Sequence, residues 1–344
     1  MVDQSEKIKE KLQKQKEQLS DTQELLNDAQ ILFDEADDVA LKGAQYDKPL
    51  SLYLLSPSSA LQHPERLQIA ASYLKTIGFK VKIDPHASDK VTRFAGTDED
   101  RARAFTRAAK DKSKIVMATR GGYGINRILP MIDWKVIEAN PKTYIGYSDF
   151  TAFNLALLAK TGMTSYTGPN AVSDFGGSKI DELTSDIFVE VMRGELEILS
   201  FITEDADPVD ARGVLWGGNL AMITSLIGTP YMPKIKNGIL FIEDVCEHPY
   251  RIERMLTQLL HAGILQKQKA IVLGHFTDYK LTPTDNGYDF SHTIAWLRSQ
   301  VKVPVVTGLP YGHGEVRVTL PIGKKVGITT EDDMVHLVID EHQH

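Results

Sequence analysis

The sequence predicts an α/β protein built on a parallel sheet. From Pro49 onward, short apolar runs alternate with helical patterns, and the runs end in turns containing Gly, Pro or Ser, the signature of a parallel sheet with helical crossovers. The stretches richest in chemistry, Ser56–Ser59, Arg120–Gly124 and Ser148, each follow such a run. They therefore share the carboxyl edge of the sheet, where open α/β sheets bind ligands.

Residues 1–48 differ from this pattern. Lys, Glu, Gln and Asp dominate up to about residue 45, and Ile8, Leu12, Leu19, Leu26 and Phe33 recur at roughly heptad spacing. An amphipathic helical extension is expected, either a partner-binding or self-association helix or an appendage on the body. The body then opens with the strand Leu50–Leu55. A helix over 64–77 follows, with Leu67, Ala70, Ala71 and Leu74 on one face and Gly78 as its stop. Phe79–Ile83 is the second strand, 98–111 a helix and Lys114–Ala118 the third strand. The polar turn Asn140–Thr143 leads into a short strand, Thr143–Ile145, which turns at Gly146 and opens a helix near Asp149. These elements make a first domain over 49–172. Residues 173–210, with a polar stretch at 173–185, a helix over 183–193 and an acidic segment at 204–210, read as a linker region. A second domain over 211–344 holds Trp216-Gly217-Gly218-Asn219, a strand Gly238–Ile242 ending in Glu243-Asp244, and a helix over 249–261. It continues with strands at Lys269–Leu273 and Val303–Thr307, and with β-hairpin material at Arg317–Leu320 and Val335–Ile339.

Composition narrows the function. The 344 residues are 42% hydrophobic and 25% charged, ordinary for a globular chain with room for two domains. A net charge of -7 speaks against a nucleic-acid partner. No apolar run reaches membrane-spanning length, and the acidic N-terminus lacks a signal-peptide core. The single cysteine, Cys246, excludes an internal disulfide; its acidic neighbours disfavour a thiolate, and it is read as structural. A cytoplasmic location is expected.

Ser148 sits where a strand turns into a helix, beside backbone N–H groups that can stabilise developing negative charge. A hydrolase can place its nucleophile there; Ser148 or Asp149 can equally serve as a helix N-cap. The Gly121-Gly122-Tyr123-Gly124 loop can bring N–H groups close to a ligand. It lacks the Lys-Ser/Thr of a phosphate loop and the spacing of a dinucleotide fingerprint, which removes ATP and NAD. No His-Glu-x-x-His, Cys pair or other ligand spacing points to a metal, so no cofactor is expected. Gly-x-Ser-x-Gly is also absent, because Phe150 stands at its last position. Among ten histidines, His248, His275 and His313 flank strand ends; His63, His86, His261 and His292 read as surface, and His342 and His344 belong to the tail. His313 and His275 both remain as bases, and Glu243 and Asp244 both as the acid behind the base.

Together these motifs resemble the LD-carboxypeptidase family of serine peptidases, which also includes microcin C self-immunity proteins. The resemblance runs in order through Arg120–Gly124 with Leu129-Pro130, Ile145–Asp149, Trp216–Leu220, Gly228–Pro230, Leu240–Asp244 and Gly312–Gly314, covering about residues 50–330. It implies a parallel α/β N-terminal domain with a smaller β-rich C-terminal domain, usually as a homodimer. It also implies Ser148 as nucleophile, His313 as general base, Glu243 as orienting acid, and the N–H groups of Gly122 and Asp149 as oxyanion hole. The implied substrate is a small muropeptide cut between an L-centre and a terminal D-alanine during cell-wall recycling. For an exopeptidase, Arg120 and Arg127 are the cations by the glycine loop able to hold a terminal carboxylate, with Arg127 read rather as a surface ion pair. Tyr123 is a further substrate contact, and Trp216 and Asn219 are expected along the substrate wall, Trp216 being equally a core residue. Two other readings stand beside this one: an immunity-type peptidase or amidase acting on a peptide- or aminoacyl-nucleotide, and a non-catalytic muropeptide-binding protein.

Overall fold

The computed structural model describes residues 48–339; the extension expected over residues 1–48, apart from Lys48, and His342 and His344 lie outside the described residues. The first sheet contains β1 (Leu50–Leu55), β2 (Phe79–Ile83), β3 (Ile115–Ala118), β4 (Thr143–Ile145) and β5 (Ser165–Thr167). These five are parallel in the order β5-β4-β3-β1-β2. All four side chains of β3 are buried, as expected of a parallel strand covered on both faces. The covering helices are α1 (Arg66–Thr76), α2 (Asp98–Lys110), α3 (Ile125–Ile128), α4 (Trp134–Ala139), α5 (Thr151–Thr161), α6 (Ala171–Phe175) and α7 (Glu182–Arg193). The start of α2 is written in the sequence: Thr97 accepts a hydrogen bond from the Asp100 N–H, and Asp98, Glu99 and Asp100 fill the first turn, where side-chain oxygens and negative charge stabilise a helix end.

The second sheet has seven strands. β6 (Ile198–Ile202), β7 (Asp210–Asn219), β8 (Ile239–Val245), β9 (Ala270–Thr277) and β10 (Val305–Val306) are joined by β12 (Lys325–Glu331) and β13 (Met334–Val338). The order is β10-β9-β8-β7-β12-β13-β6. β7 to β10 are parallel neighbours, and β12, β13 and β6 add an antiparallel half. Helices α8 (Leu220–Ser225), α9 (Pro249–His261) and α10 (Phe290–Gln300) accompany the parallel half.

Three sequence expectations change. Residues 173–210 are not merely a linker: α7 buries Phe188 and Val189 in the core of the first sheet, and β6 forms the edge of the second, paired with β13. The tail is not one hairpin either. β11 (Leu320–Ile322) crosses back to pair antiparallel with β5, and the hairpin proper is β12–β13. At the Ser148 corner the helix starts with a 3-10 turn, Ser148–Phe150, and the α-helix begins at Thr151.

The Trp216–Asn219 motif joins the layers. A Cβ on Gly217, whose φ is 147°, would lie 1.8 Å from the Phe241 carbonyl oxygen, and one on Gly218 2.5 Å from Thr151 Oγ1. Only glycine permits this approach of β7 to β8 and α5. The Asn219 N–H donates to Thr151 Oγ1 at 3.1 Å, completing the seam.

Phe188 stacks on Phe79 with ring centroids 5.1 Å apart. Phe188→Ala is expected to cost about 3–5 kcal/mol of stability, as for other buried aromatics, read from the shift in denaturant midpoint. A loss below about 1 kcal/mol would show that α7 does not help hold the first sheet.

Candidate active site

The carboxyl edges of the two parallel strand sets meet at one point. β4 delivers Ser148, β8 delivers Glu243, and the loop after β10 delivers His313. Ser148 has φ 64°, an uncommon conformation for a residue with a side chain. No side-chain capping bond forms at the 3-10 turn, whose N-cap is Tyr147, so the capping role open in the sequence is not what Ser148 does. Ser148 Oγ instead lies 3.1 Å from His313 Nε2, and His313 Nδ1 lies 2.8 Å from Glu243 Oε2. With Nδ1–H donating to the carboxylate, Nε2 is left to accept from the serine hydroxyl.

Glu243 is 0% exposed, and a buried carboxylate needs donors on both oxygens. Asn219 Nδ2 supplies the second, 3.2 Å from Glu243 Oε1 and 3.0 Å from Asp244 Oδ1. Asp244 is tied down separately: the Ala221 and Val245 N–H groups donate to it at 2.9 and 2.8 Å. Asp244 is therefore not the acid at His313 but the anchor of the α8 start. Burial, and next the neighbouring Glu243 charge, push its pKa up to about 6.

His275, the other base weighed from sequence, donates its backbone N–H to the Tyr311 carbonyl at 2.8 Å. Its ring packs under the His313 loop: a Cβ on Gly314 would lie 2.3 Å from His275 Nδ1. Burial, then the Arg317 charge, push its pKa down.

The glycine loop presses against the serine corner. A Cβ on Gly121 would lie 2.7 Å from Ser148 Cβ, 2.8 Å from Oγ and 3.4 Å from the Asp149 nitrogen. The Gly122 and Asp149 N–H groups have no protein acceptor among the described residues. The Asp149 side chain points elsewhere, accepting from Ser58 Oγ at 2.7 Å and from the Ile125 N–H at 3.0 Å. Burial raises its pKa against those two donors. Ser59 Oγ accepts from the Tyr123 N–H at 3.1 Å, so the Ser56–Ser59 turn holds both the corner and the loop.

The remaining expected contacts divide. Arg120 lies at the loop and donates to the Ala60 carbonyl at 2.9 Å, and Tyr123 is 40% exposed beside it. Arg127 is the ion pair expected, with Asp98 at 2.8 Å. Two expectations are corrected. Trp216 is 1% exposed and donates its indole N–H to Gln268 Oε1 at 2.9 Å, which makes it core. Asn219 faces the two carboxylates rather than a substrate wall. Cys246, read as structural, is exposed.

Sequence reasoning missed Arg317. It is buried, pairs with Asp174, and donates from Nε to the Gly312 carbonyl at 2.8 Å. Its Cζ lies 3.8 Å from the Tyr147 ring centroid, and that ring is 5.1 Å from the His313 ring. One side chain thus grips the His313 loop and the residue before Ser148. A nucleophile-base-acid line with free N–H donors beside it can carry out acyl transfer. No helix among the described residues is long and apolar enough to cross a membrane.

The raised Asp244 pKa gives a stability prediction. The native state holds this proton more tightly than the unfolded chain, so Asp244's contribution is present at about pH 4 and falls as pH rises toward about 6. Between pH 4 and 7 the stability difference between wild type and Asp244→Asn should move in the variant's favour by up to about 3 kcal/mol, read by denaturant unfolding across pH. A difference independent of pH would contradict the buried charge pair.

Known proteins match the chain along both sheets. Residues 52–168 match the LD-carboxypeptidase N-terminal domain and residues 212–328 the LD-carboxypeptidase C-terminal domain. The chain is 31% identical over 284 residues to a probable murein peptide carboxypeptidase of Bacillus subtilis, covering 81% of this chain and 88% of that one. It is 27% identical over 300 residues to the microcin C7 self-immunity protein MccF of Escherichia coli, covering 77% and 86%. The crystal structure of muramoyltetrapeptide carboxypeptidase from Oxalobacter formigenes superposes with a TM-score of 0.80 at 42% identity, over 86% of this chain and 100% of that one. Matched in order through both halves and over most of each relative, this chain belongs to the LD-carboxypeptidase family of peptidases.

Proposed function

We propose that this carboxypeptidase-family chain is a serine LD-carboxypeptidase, hydrolysing the L,D-peptide bond that releases terminal D-alanine from murein tetrapeptides. The observation that carries the reading is the line Ser148 Oγ–His313 Nε2–His313 Nδ1–Glu243 Oε2, with steps of 3.1 and 2.8 Å. The names of the Bacillus subtilis and Oxalobacter formigenes relatives support the substrate class. The proposal includes a cytoplasmic role in cell-wall recycling and a homodimer.

The reaction needs no cofactor. His313 Nε2 takes the Ser148 proton as Oγ bonds to the scissile carbonyl carbon. The carbonyl oxygen becomes an oxyanion held by the Gly122 and Asp149 N–H groups; one such donor is typically worth about 3–4 kcal/mol of barrier. Collapse breaks the C–N bond, and the imidazolium gives its proton to the departing amine of D-alanine. Water, activated by the same imidazole, then cleaves the serine ester. Glu243 holds the ring's orientation and stabilises its cation. Because Glu243 is sealed from water, its charge acts on His313 with little screening.

The likeness to MccF supports a second reading, an immunity-type peptidase or amidase with the same three side chains acting on a peptide- or aminoacyl-nucleotide.

Mass spectrometry of a murein tetrapeptide ending in D-alanine tests these readings. Wild type is expected to remove one alanine, and Ser148→Ala to lose about 10⁴-fold or more in kcat. No product from wild type would move the reading to aminoacyl-nucleotides, and full biological activity of Ser148→Ala to a binding protein. Gly121→Ala places a methyl against Ser148 Cβ and Oγ. It should lower kcat/KM by about 100-fold, the cost of a misplaced reacting group, and cost about 1–3 kcal/mol of stability as overpacking does, so activity is read at a temperature where the variant is folded. Wild-type kcat/KM in that variant would show that the loop does not hold the nucleophile.

A further inference from the structure

Resting on the carboxypeptidase reading, we propose that Arg93 and Arg120 together form the site for the C-terminal carboxylate of the peptide substrate. Arg93 drew no notice in the sequence; the fold brings it to the glycine loop. Ala60 ties the two residues together, its N–H donating to the Arg93 carbonyl at 2.8 Å and its carbonyl accepting from Arg120 Nη1 at 2.9 Å. The Arg93 guanidinium lies 5.9 Å from the Tyr123 ring centroid. A Cβ on Gly122 would lie 3.8 Å from Arg120 Nη2. The two cations therefore lie along the loop whose Gly122 N–H is the proposed oxyanion donor.

Neither guanidinium has a carboxylate partner among the described residues. The other arginines near the site are spoken for: Arg101 and Arg127 pair with Asp98, and Arg317 with Asp174. In a chain with net charge -7, acids are plentiful, so two neighbouring guanidiniums without one are an arrangement that a bound anion completes. Burial pushes the Arg120 pKa down and the Arg93 charge adds to it; a carboxylate between them would relieve both effects. Planar guanidiniums suit a carboxylate through paired N–H···O bonds. Arg120 Nη1 is already committed to Ala60, which leaves Nη2 toward the loop, while exposed Arg93 is free to swing onto the second oxygen.

The test uses full-length Ser148→Ala protein and titration calorimetry with a murein tetrapeptide bearing either a C-terminal carboxylate or a carboxamide. The carboxylate form is expected to bind about 10–100-fold more tightly, the range for hydrogen bonds to a charged group. Adding Arg93→Ala should remove most of that preference, leave carboxamide affinity unchanged, and be partly rescued by Arg93→Lys. Arg93 is exposed, and the bond its carbonyl accepts from the Ala60 N–H is kept when the side chain is cut back, so the variant keeps the fold. Equal affinity for the two peptides, or an unchanged preference in the Arg93→Ala variant, overturns the proposal. Alanine release by wild type is measured separately: its absence counts against the carboxypeptidase reading, while binding preference decides the carboxylate site either way.

Discussion

Glu243 has no water to solvate it, so both of its oxygens must be met by protein donors. His313 meets one and Asn219 the other. Much of the centre follows from that requirement. His313 must come from the loop after β10 because it has to arrive at the end of β8. Asn219 must end β7, the strand beside β8, in register with Glu243. The parallel pairing of β7, β8 and β9 thus places the residues that a buried carboxylate demands. The same requirement aims the imidazole: with Nδ1 bound to Glu243, Nε2 faces across to Ser148 on the other sheet.

The serine corner is held by tight fit rather than by many bonds to the serine itself. Ser148 adopts a left-handed conformation that its surroundings must over-determine. Gly121 packs against its side chain, the Asp149 carboxylate is locked by Ser58 and Ile125, and Tyr147 is clamped under Arg317. Arg317 also holds the Gly312 carbonyl beside His313. The nucleophile and its partner are therefore positioned by a common support, which matters where catalysis depends on fractions of an ångström.

Much of this was legible in the chain. The alternation of apolar runs with helical patterns located β1, β2, β3, β4 and β8, and helices α1, α2, α7 and α9, to within a few residues, because strand and helix periodicities are local properties of sequence. Short elements escaped, β5 and β11 being three residues each, and so did β6, apolar but set between a helix and an acidic segment. Ser148, Glu243 and His313 were picked out by motif, and the geometry brings them into one line. Periodicity cannot tell a tryptophan in a wall from one in a core, and Trp216 proved to be core.

By itself, the sequence determined the α/β class, the positions of most elements and the residue types able to do acyl transfer, since each depends on neighbours a few positions away. Tertiary structure decided what depends on contacts between distant segments. Residues 320–322 join the edge of the first sheet although five strands of the second one, β6 to β10, come before them. Asp174 and Arg317, 143 positions apart, meet beside the site. His313 rather than His275 faces Ser148, because His275 is held within β9 and the loop after β10 carries His313 across to the serine. Arg93 reaches the glycine loop through the pairing of Ala60 with its backbone. Burial and long-range hydrogen bonding assign these partners, and neither is written in any short stretch of the chain.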